Sequence, residues 1–258
     1  MAHALPIIDG RPATAEQLAY PALVNYGHYT SLQVRDGRTR GLDLHLLRLS
    51  AATVELFGVE LDGDRVRHSI RVAMDTARDA SVRVTVFAPP DHEEPCVLVA
   101  VREPEEPATT PATLRSVEYR RSLAHLKHVG AFGRIHHRRQ VERLGFTDAL
   151  FIDHHGEVSE TSIANIGFHD GRTVIWPQAP ALAGTTMQLL GARLPGFGTA
   201  SRQQPVRLSD IAGLRSAFLT NSIGIRPVIR IDDHSIPIDI ELMTLLTEAY
   251  ASVPWDRI

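Results

Sequence analysis

Lys127 is the only lysine in the chain; every other cation among the 27 Lys and Arg residues is arginine. Arginine serves for solubility, surface ion pairs and anion binding. It cannot lose its proton near neutral pH or condense with a carbonyl. A lysine can do both once desolvation or neighbouring cations free its amine lone pair. The single lysine therefore points to imine chemistry, although a drift from Lys to Arg that spared one position would leave the same composition.

An imine-forming amine that works with a carbonyl cofactor needs three further things: an acid for the cofactor's ring nitrogen, a cradle for its anionic group, and the amine on one face of the ring to move protons. Glu160 supplies the acid, at a strand end just before the small polar residues Thr161 and Ser162. Gly184, Thr185 and Thr186 open a helix, where free N–H groups, hydroxyls and the helix dipole favour a phosphate. Thr220, Asn221 and Ser222 add hydroxyl and amide donors, and Arg48 adds a guanidinium that can grip an anion in bidentate fashion. Taken singly, each has a plainer reading: a helix cap, a solvated carboxylate, a surface arginine lying along Leu44 and Leu47.

The elements that must position these groups can be read from periodicity. Residues 29–34 (YTSLQV) alternate up to Asp36-Gly37, a hairpin signal, with 38–42 returning. Asp43 fits a helix N-cap, followed by a stripe of Leu44, Leu47, Arg48, Ala51, Ala52, Val54, Leu56 and Phe57, and Gly58 ends the helix. A second helix is expected over 64–80, and strands over 81–88 and 95–102. The segment 103–111 (EPEEPATTP) has three prolines, three acids and no large apolar residue. It marks a boundary, giving a small N-terminal α/β domain over 1–105, a linker over 106–115 and a larger, strand-rich domain over 116–258. In the second part, strands are expected over 113–119, 149–153, 157–159, 165–169, 173–176, 216–221 and 224–231, with helices over 133–144, 184–194 and 238–253. The class is α/β (α+β).

With 258 residues, 43% hydrophobic and 22% charged, the chain can bury a sizeable core. A net charge of −3 gives no electrostatic case for nucleic acid or a membrane surface. One cysteine, Cys96, excludes an internal disulfide framework and a multi-cysteine metal site. Residues 1–10 do not read as a signal peptide, and no apolar run reaches the ~18–20 residues of a membrane span. The expected setting is a reduced, cytoplasmic compartment. The pairs His136-His137 and His154-His155 lack ligand spacing and read as surface histidines, with no metal site.

The order of the segments YTSLQVRDGRTRGLDLHLLRLSAA (29–52), LKHVGAF (126–132), GFTDALFIDHHGEVSETSIANIGF (145–168), ALAGTTMQLL (181–190) and FLTNSIGIRPV (218–228) resembles the fold type IV pyridoxal-phosphate enzymes. That group holds branched-chain and D-amino acid aminotransferases and aminodeoxychorismate lyase. The resemblance implies a two-domain, D-amino acid aminotransferase-like subunit, a pyridoxal 5′-phosphate cofactor, an active site between the domains and a homodimer. It makes Lys127 the Schiff-base lysine and proton shuttle, and Glu160 the partner of the pyridine nitrogen. Arg48, Thr185, Thr186 and Ser222 become phosphate ligands. Tyr29, Tyr26 and Ser31 line the substrate side, and Asn165 supports the loop after the glutamate.

One position departs from the pattern. Many aminotransferases of the group carry a tyrosine five residues after the lysine, to bond the cofactor's ring hydroxyl; here it is Phe132. The Leu126-Lys127-His128 run looks more like the lyases, which also lack that tyrosine. The leading expectation is an aminotransferase moving an amino group between an amino acid or amine and a 2-oxo acid. Lyase elimination of pyruvate, and a non-catalytic cofactor-binding relative, remain as alternatives.

Overall fold

The computed structural model describes residues 5–90 and 92–258. The reading of residues 1–10 as lacking a signal peptide reaches into 1–4, which lie outside the described residues. The chain forms two compact units. The first holds Met1–Glu105, Leu126–Gly130 and Pro254–Ile258; the second holds Glu106–His125 and Ala131–Val253.

The first unit contains β1 (Ile7–Ile8), β2 (Arg11–Pro12), α1 (Ala15–Leu23), β3 (His28–Val34), β4 (Arg38–Arg40), α2 (Leu42–Phe57), α3 (Gly63–Met74), β5 (Ala80–Phe87) and β6 (Cys96–Arg102). Five strands make an antiparallel sheet in the order β2-β1-β6-β5-β3. Strict alternation in β5 sends Val82, Val84 and Val86 into a core shared with Leu32, Val34, Leu49 and Ile70. Arg83 and Thr85 fall on the opposite face, and register places them across from Ser31 and Tyr29.

The hairpin turn at Asp36-Gly37 has both residues at positive φ, 50° and 69°, as a two-residue turn between twisted strands requires. Two expectations for α2 fail. Its N-cap is Gly41 (φ 65°), not Asp43, which lies in the first turn. The N–H of Leu42 is instead taken by Asp256 Oδ2 at 3.0 Å, a partner 214 residues away. The buried stripe is Leu42, His45, Leu49, Ala52 and Thr53, while Leu47 and Val54 face outward. An Ala- and Leu-rich helix is apolar on several faces, so periodicity alone does not pick the one that packs. The second helix starts as expected but stops at Met74 rather than 80, where Asp75 leaves the helical region at φ 48°. Helix α1 was not anticipated, although Thr14 and Gln17 form a reciprocal capping box at its start.

The second unit contains β7 (Ala112–Glu118), α4 (Phe132–Glu142), β8 (Asp148–Ile152), β9 (Val158–Thr161), β10 (Asn165–His169), β11 (Thr173–Pro177), α5 (Thr185–Arg193), β12 (Ala200–Gln204), β13 (Ser216–Thr220), β14 (Ile225–Ile231), β15 (His234–Ser235) and α6 (Ile240–Ala251). Its sheet runs β12-β11-β10-β13-β14-β7-β8-β9, with β15 beside β14. Ile166, Phe168, Leu219, Val228, Leu114 and Leu150 fill one core. Helices α5 and α6 close another with Leu190, Leu242 and Leu246 against Trp176 and Phe218. The last strand, β16 (Trp255–Arg257), pairs with β4 of the first unit.

The segment expected as a linker over 106–115 is extended for only part of its length. Sheet pairing begins at Ala112, because β7 lies between β14 and β8. Within the stretch expected as one domain over 116–258, residues 126–130 and 254–258 cluster with the first unit. Tyr29 N donates to Lys127 O at 2.8 Å and Val129 N to Gly27 O at 2.9 Å, so the Lys127 segment runs along β3, an edge strand with unused backbone groups. Among the described residues, no helix is long and apolar enough to cross a membrane.

Candidate functional site

In the first unit, Lys127 is half-buried, with Nζ 5.0 Å from the centre of the Tyr29 ring. Tyr29 is buried, and the guanidinium carbon of Arg83 lies 3.7 Å from the same ring centre. A cation held over an aromatic face is attracted by the ring's quadrupole, so Tyr29 organises both side chains. Arg48 projects from α2, and one of its guanidinium nitrogens donates to Thr30 Oγ1 at 3.4 Å. Burial pushes its pKa down to about 10, opposed by the Tyr29 hydroxyl.

The oxygen of Thr30 also meets His45 Nδ1 at 2.6 Å. Arginine can only donate, so the Thr30 hydroxyl accepts from Arg48, and its bond to His45 Nδ1 runs in the direction that the imidazole tautomer sets. Burial, helped by the charges of Arg48 and Lys127, pushes the His45 pKa down to about 3 and keeps the imidazole neutral. His45 thus acts as a neutral buried prop for the Thr30–Arg48 contact. Of the expected substrate-side residues, Tyr29 lies beside Lys127, Ser31 is half-buried on the same strand, and Tyr26 is 48% exposed, its ring edge-on to Phe57.

In the second unit, Glu160 lies on β9 and is buried, so its charge must be compensated internally. Oε1 accepts from Arg121 Nε at 2.8 Å and Oε2 from Leu182 N at 3.2 Å. Asn165, at the start of β10, donates from Nδ2 to Leu182 O at 2.7 Å. The strand register puts Asn165 opposite Thr220. Gly184 caps α5, and a Cβ on it would sit 1.9 Å from Asn165 Oδ1, so only glycine fits between Asn165 and the helix start.

Thr186 Oγ1 donates to Asn221 O at 2.7 Å. Asn221 Oδ1 accepts from Ile223 N at 2.9 Å and Gly224 N at 3.3 Å, closing the turn that carries half-buried Ser222. The Thr185 and Thr220 hydroxyls are buried without a hydrogen-bond partner. Unused buried hydroxyls near the open N–H groups of a helix start are the donor set an anion would complete.

The floor of β9 rests on Asp148. Its Oδ1 accepts from Ser162 Oγ at 2.5 Å and Ala149 N at 2.8 Å, and burial raises its pKa. Phe132, at the start of α4, is 81% exposed and stacks on His136. Among the described residues, no group of His, Cys, Asp and Glu could hold a metal ion.

The structure thus gathers Lys127, Tyr29 and Arg48 in one unit and Glu160, Asn165, Thr185, Thr186, Asn221 and Ser222 in the other. Sequence reasoning missed Arg121, His45 and Arg83. Arg83 had one available signal: an arginine in the middle of an alternating apolar strand.

Residues 27–231 match the family described as amino-transferase class IV. The chain belongs to that family. No curated protein matches it significantly. Among solved structures it is similar to a hypothetical aminotransferase from Mycobacterium tuberculosis in its PLP-bound form, at 21% identity over 90% of this chain and 91% of that one, TM-score 0.79. It is also similar to the Escherichia coli branched-chain amino acid aminotransferase, at 14% identity, covering 97% and 94%, TM-score 0.84. A third is the 4-amino-4-deoxychorismate lyase from Pseudomonas aeruginosa, at 25% identity, covering 96% and 99%, TM-score 0.80.

Proposed function

We propose that this chain is a pyridoxal 5′-phosphate-dependent aminotransferase, moving an amino group between an amino acid or amine and a 2-oxo acid. The observation that carries the reading is the donor set at the start of α5. Thr185 and Thr220 hold buried hydroxyls with no partner, beside a helix N-terminus where Gly184 leaves no room for a side chain. That set fits a phosphate, and the buried Glu160 carboxylate fits a protonated ring nitrogen.

When bound, the cofactor supplies an electron sink for negative charge at the substrate carbon. Lys127 would attach the cofactor through Nζ and, once displaced by an incoming amine, carry a proton to and from the reacting carbon. Glu160 would accept the ring N–H. Arg48, Thr185, Thr186 and Ser222 would hold the phosphate, with Asn221 shaping the turn that presents Ser222. Tyr29, with Tyr26 and Ser31 on its strand and the segment before it, would line the substrate side. Arg83, stacked on Tyr29, offers a guanidinium for a substrate carboxylate. The reading carries with it a homodimer acting in the cytoplasm.

Phe132 favours a second reading, elimination of pyruvate from aminodeoxychorismate. A phenylalanine has no hydroxyl with which to tune the cofactor oxygen, and its ring stacks on His136 instead.

Borohydride treatment of protein loaded with pyridoxal 5′-phosphate tests the assignment: the expected result is a stable adduct on Lys127, absent from Lys127→Ala. No adduct, or the same adduct in the variant, would refute it. An amino donor alone then separates the two reactions, since an aminotransferase leaves the cofactor in its amine form and a lyase does not.

A further inference from the structure

The Glu160 carboxylate is one half of a buried ion pair whose other half has no role in the function proposed above. Arg121 and Glu160 are both less than a tenth exposed. The guanidinium spends its Nε on Glu160 Oε1 and an NH2 group on the carbonyl of Ala124, three residues ahead. Between those two contacts Leu123 sits at φ 46°, a left-handed conformation that a leucine adopts only when its surroundings impose it. A single planar group thus closes the turn that leads toward Lys127 and fixes the carboxylate.

We propose that Arg121 is a positioning residue of the cofactor site, holding Glu160 in one orientation with a permanent counter-charge and tying it to the turn that precedes Lys127. A carboxylate has about four acceptor positions. Arg121 Nε and Leu182 N occupy one on each oxygen, which leaves the carboxylate unable to rotate but still able to accept one more hydrogen bond. Lysine would not serve, since one ammonium cannot reproduce the fixed angle between the Nε and NH2 contacts. The signal was not readable from sequence, where the two partners lie 39 residues apart.

This inference rests on the reading of Glu160 as the partner of the cofactor's ring nitrogen, and its test separates the two. The dissociation constant of pyridoxal 5′-phosphate is measured for wild type, Arg121→Gln, Glu160→Gln and the double variant, with circular dichroism confirming the fold. Arg121→Gln is expected to weaken binding about 10- to 100-fold, the worth of a charge-assisted hydrogen bond. In the Glu160→Gln background the same change is expected to matter less than about threefold, because contacts acting through one group are not additive. Arg121→Lys is expected to recover affinity only in part.

Equal losses in both backgrounds, or wild-type affinity in Arg121→Gln or Arg121→Lys, would overturn the proposal. Wild-type affinity in Glu160→Gln would overturn the reading of Glu160 itself, and the proposal with it. Should Arg121→Gln fail to fold, Arg121→Lys in the two backgrounds carries the same comparison.

Discussion

Gly184→Ala is a small change with a large expected effect, and the structure gives its size. Gly184 has φ −64° and ψ 139°, which any residue can adopt, so backbone strain does not enter. Space does. The added Cβ would lie 1.9 Å from Asn165 Oδ1 where contacts below 3.0 Å are essentially never seen, so about 1.1 Å must be opened. Asn165 is buried, sits in register with Thr220, and donates to Leu182 O at 2.7 Å. Moving it breaks that bond, at about 1–3 kcal/mol for a buried group left unpaired.

The remaining overlap adds about 1–2 kcal/mol of overpacking. A total of about 3 kcal/mol lowers the melting temperature by about 6–12 °C in a chain of this length. Because Leu182 N also holds Glu160 Oε2, and Gly184 opens the helix that would receive the phosphate, affinity for pyridoxal 5′-phosphate should fall at least about tenfold. Thermal unfolding with and without cofactor, together with a binding titration, measures both quantities. Combining the change with Asn165→Ala removes the obstacle and should return the melting temperature to that of Asn165→Ala alone. A Gly184→Ala protein that melts within about 1 °C of wild type and binds cofactor equally well would refute the reasoning.

Three further predictions concern charge. Burial lowers the pKa of His28 to about 4 and that of His45 to about 3, from 6.5. Both are neutral in either state above that value; below it the unfolded chain takes up protons the folded one refuses, so stability falls by about 1.4 kcal/mol per pH unit for each histidine. His45→Gln should remove about half of that slope in denaturant titrations between pH 6 and 4.5, and an unchanged slope would count against it.

Asp148 behaves in the opposite sense. Its carboxyl is raised by burial, so the folded state holds its proton at higher pH than the unfolded chain, and its contribution to stability grows as pH falls toward the unfolded value. Ser162→Ala removes a donor to the charged form and should cost about 1.5–3 kcal/mol where the folded-state carboxyl is ionised, and less as pH falls and it takes up its proton; a loss that does not change with pH would exclude the linkage. Lys127→Arg keeps a cation against Tyr29 and should leave the melting temperature within about 2 °C while abolishing borohydride-fixed cofactor, read by mass spectrometry.

What could be read from the chain, and what could not, follows the range of the interactions. Most strand positions were legible because alternation and turn residues act over two to six residues: Val82, Val84 and Val86 point one way because a strand has period two, whereas β1, β2, β12, β15 and β16 lie outside every expected range. The start of α5 was legible for the same reason, since Gly-Thr-Thr before an apolar run is a local signal. The cap of α2 was not, because its donor is satisfied by Asp256 from the far end of the chain. Nor was the burial of His45, whose helix offers apolar residues on several faces.

The site divides along the same line. Lys127 is nominated by chemistry intrinsic to its residue type, and Glu160 by its place near a strand end. Arg121, His45 and Arg83 gain their roles only from what they touch: a carboxylate 39 residues on, a threonine on another element, and a tyrosine ring across a strand pair. A residue whose function is to hold another has no spacing of its own in the sequence, because the contact is set by tertiary register. The groups that would meet the cofactor are therefore the ones a sequence can nominate, and the groups that aim them are the ones only the fold supplies.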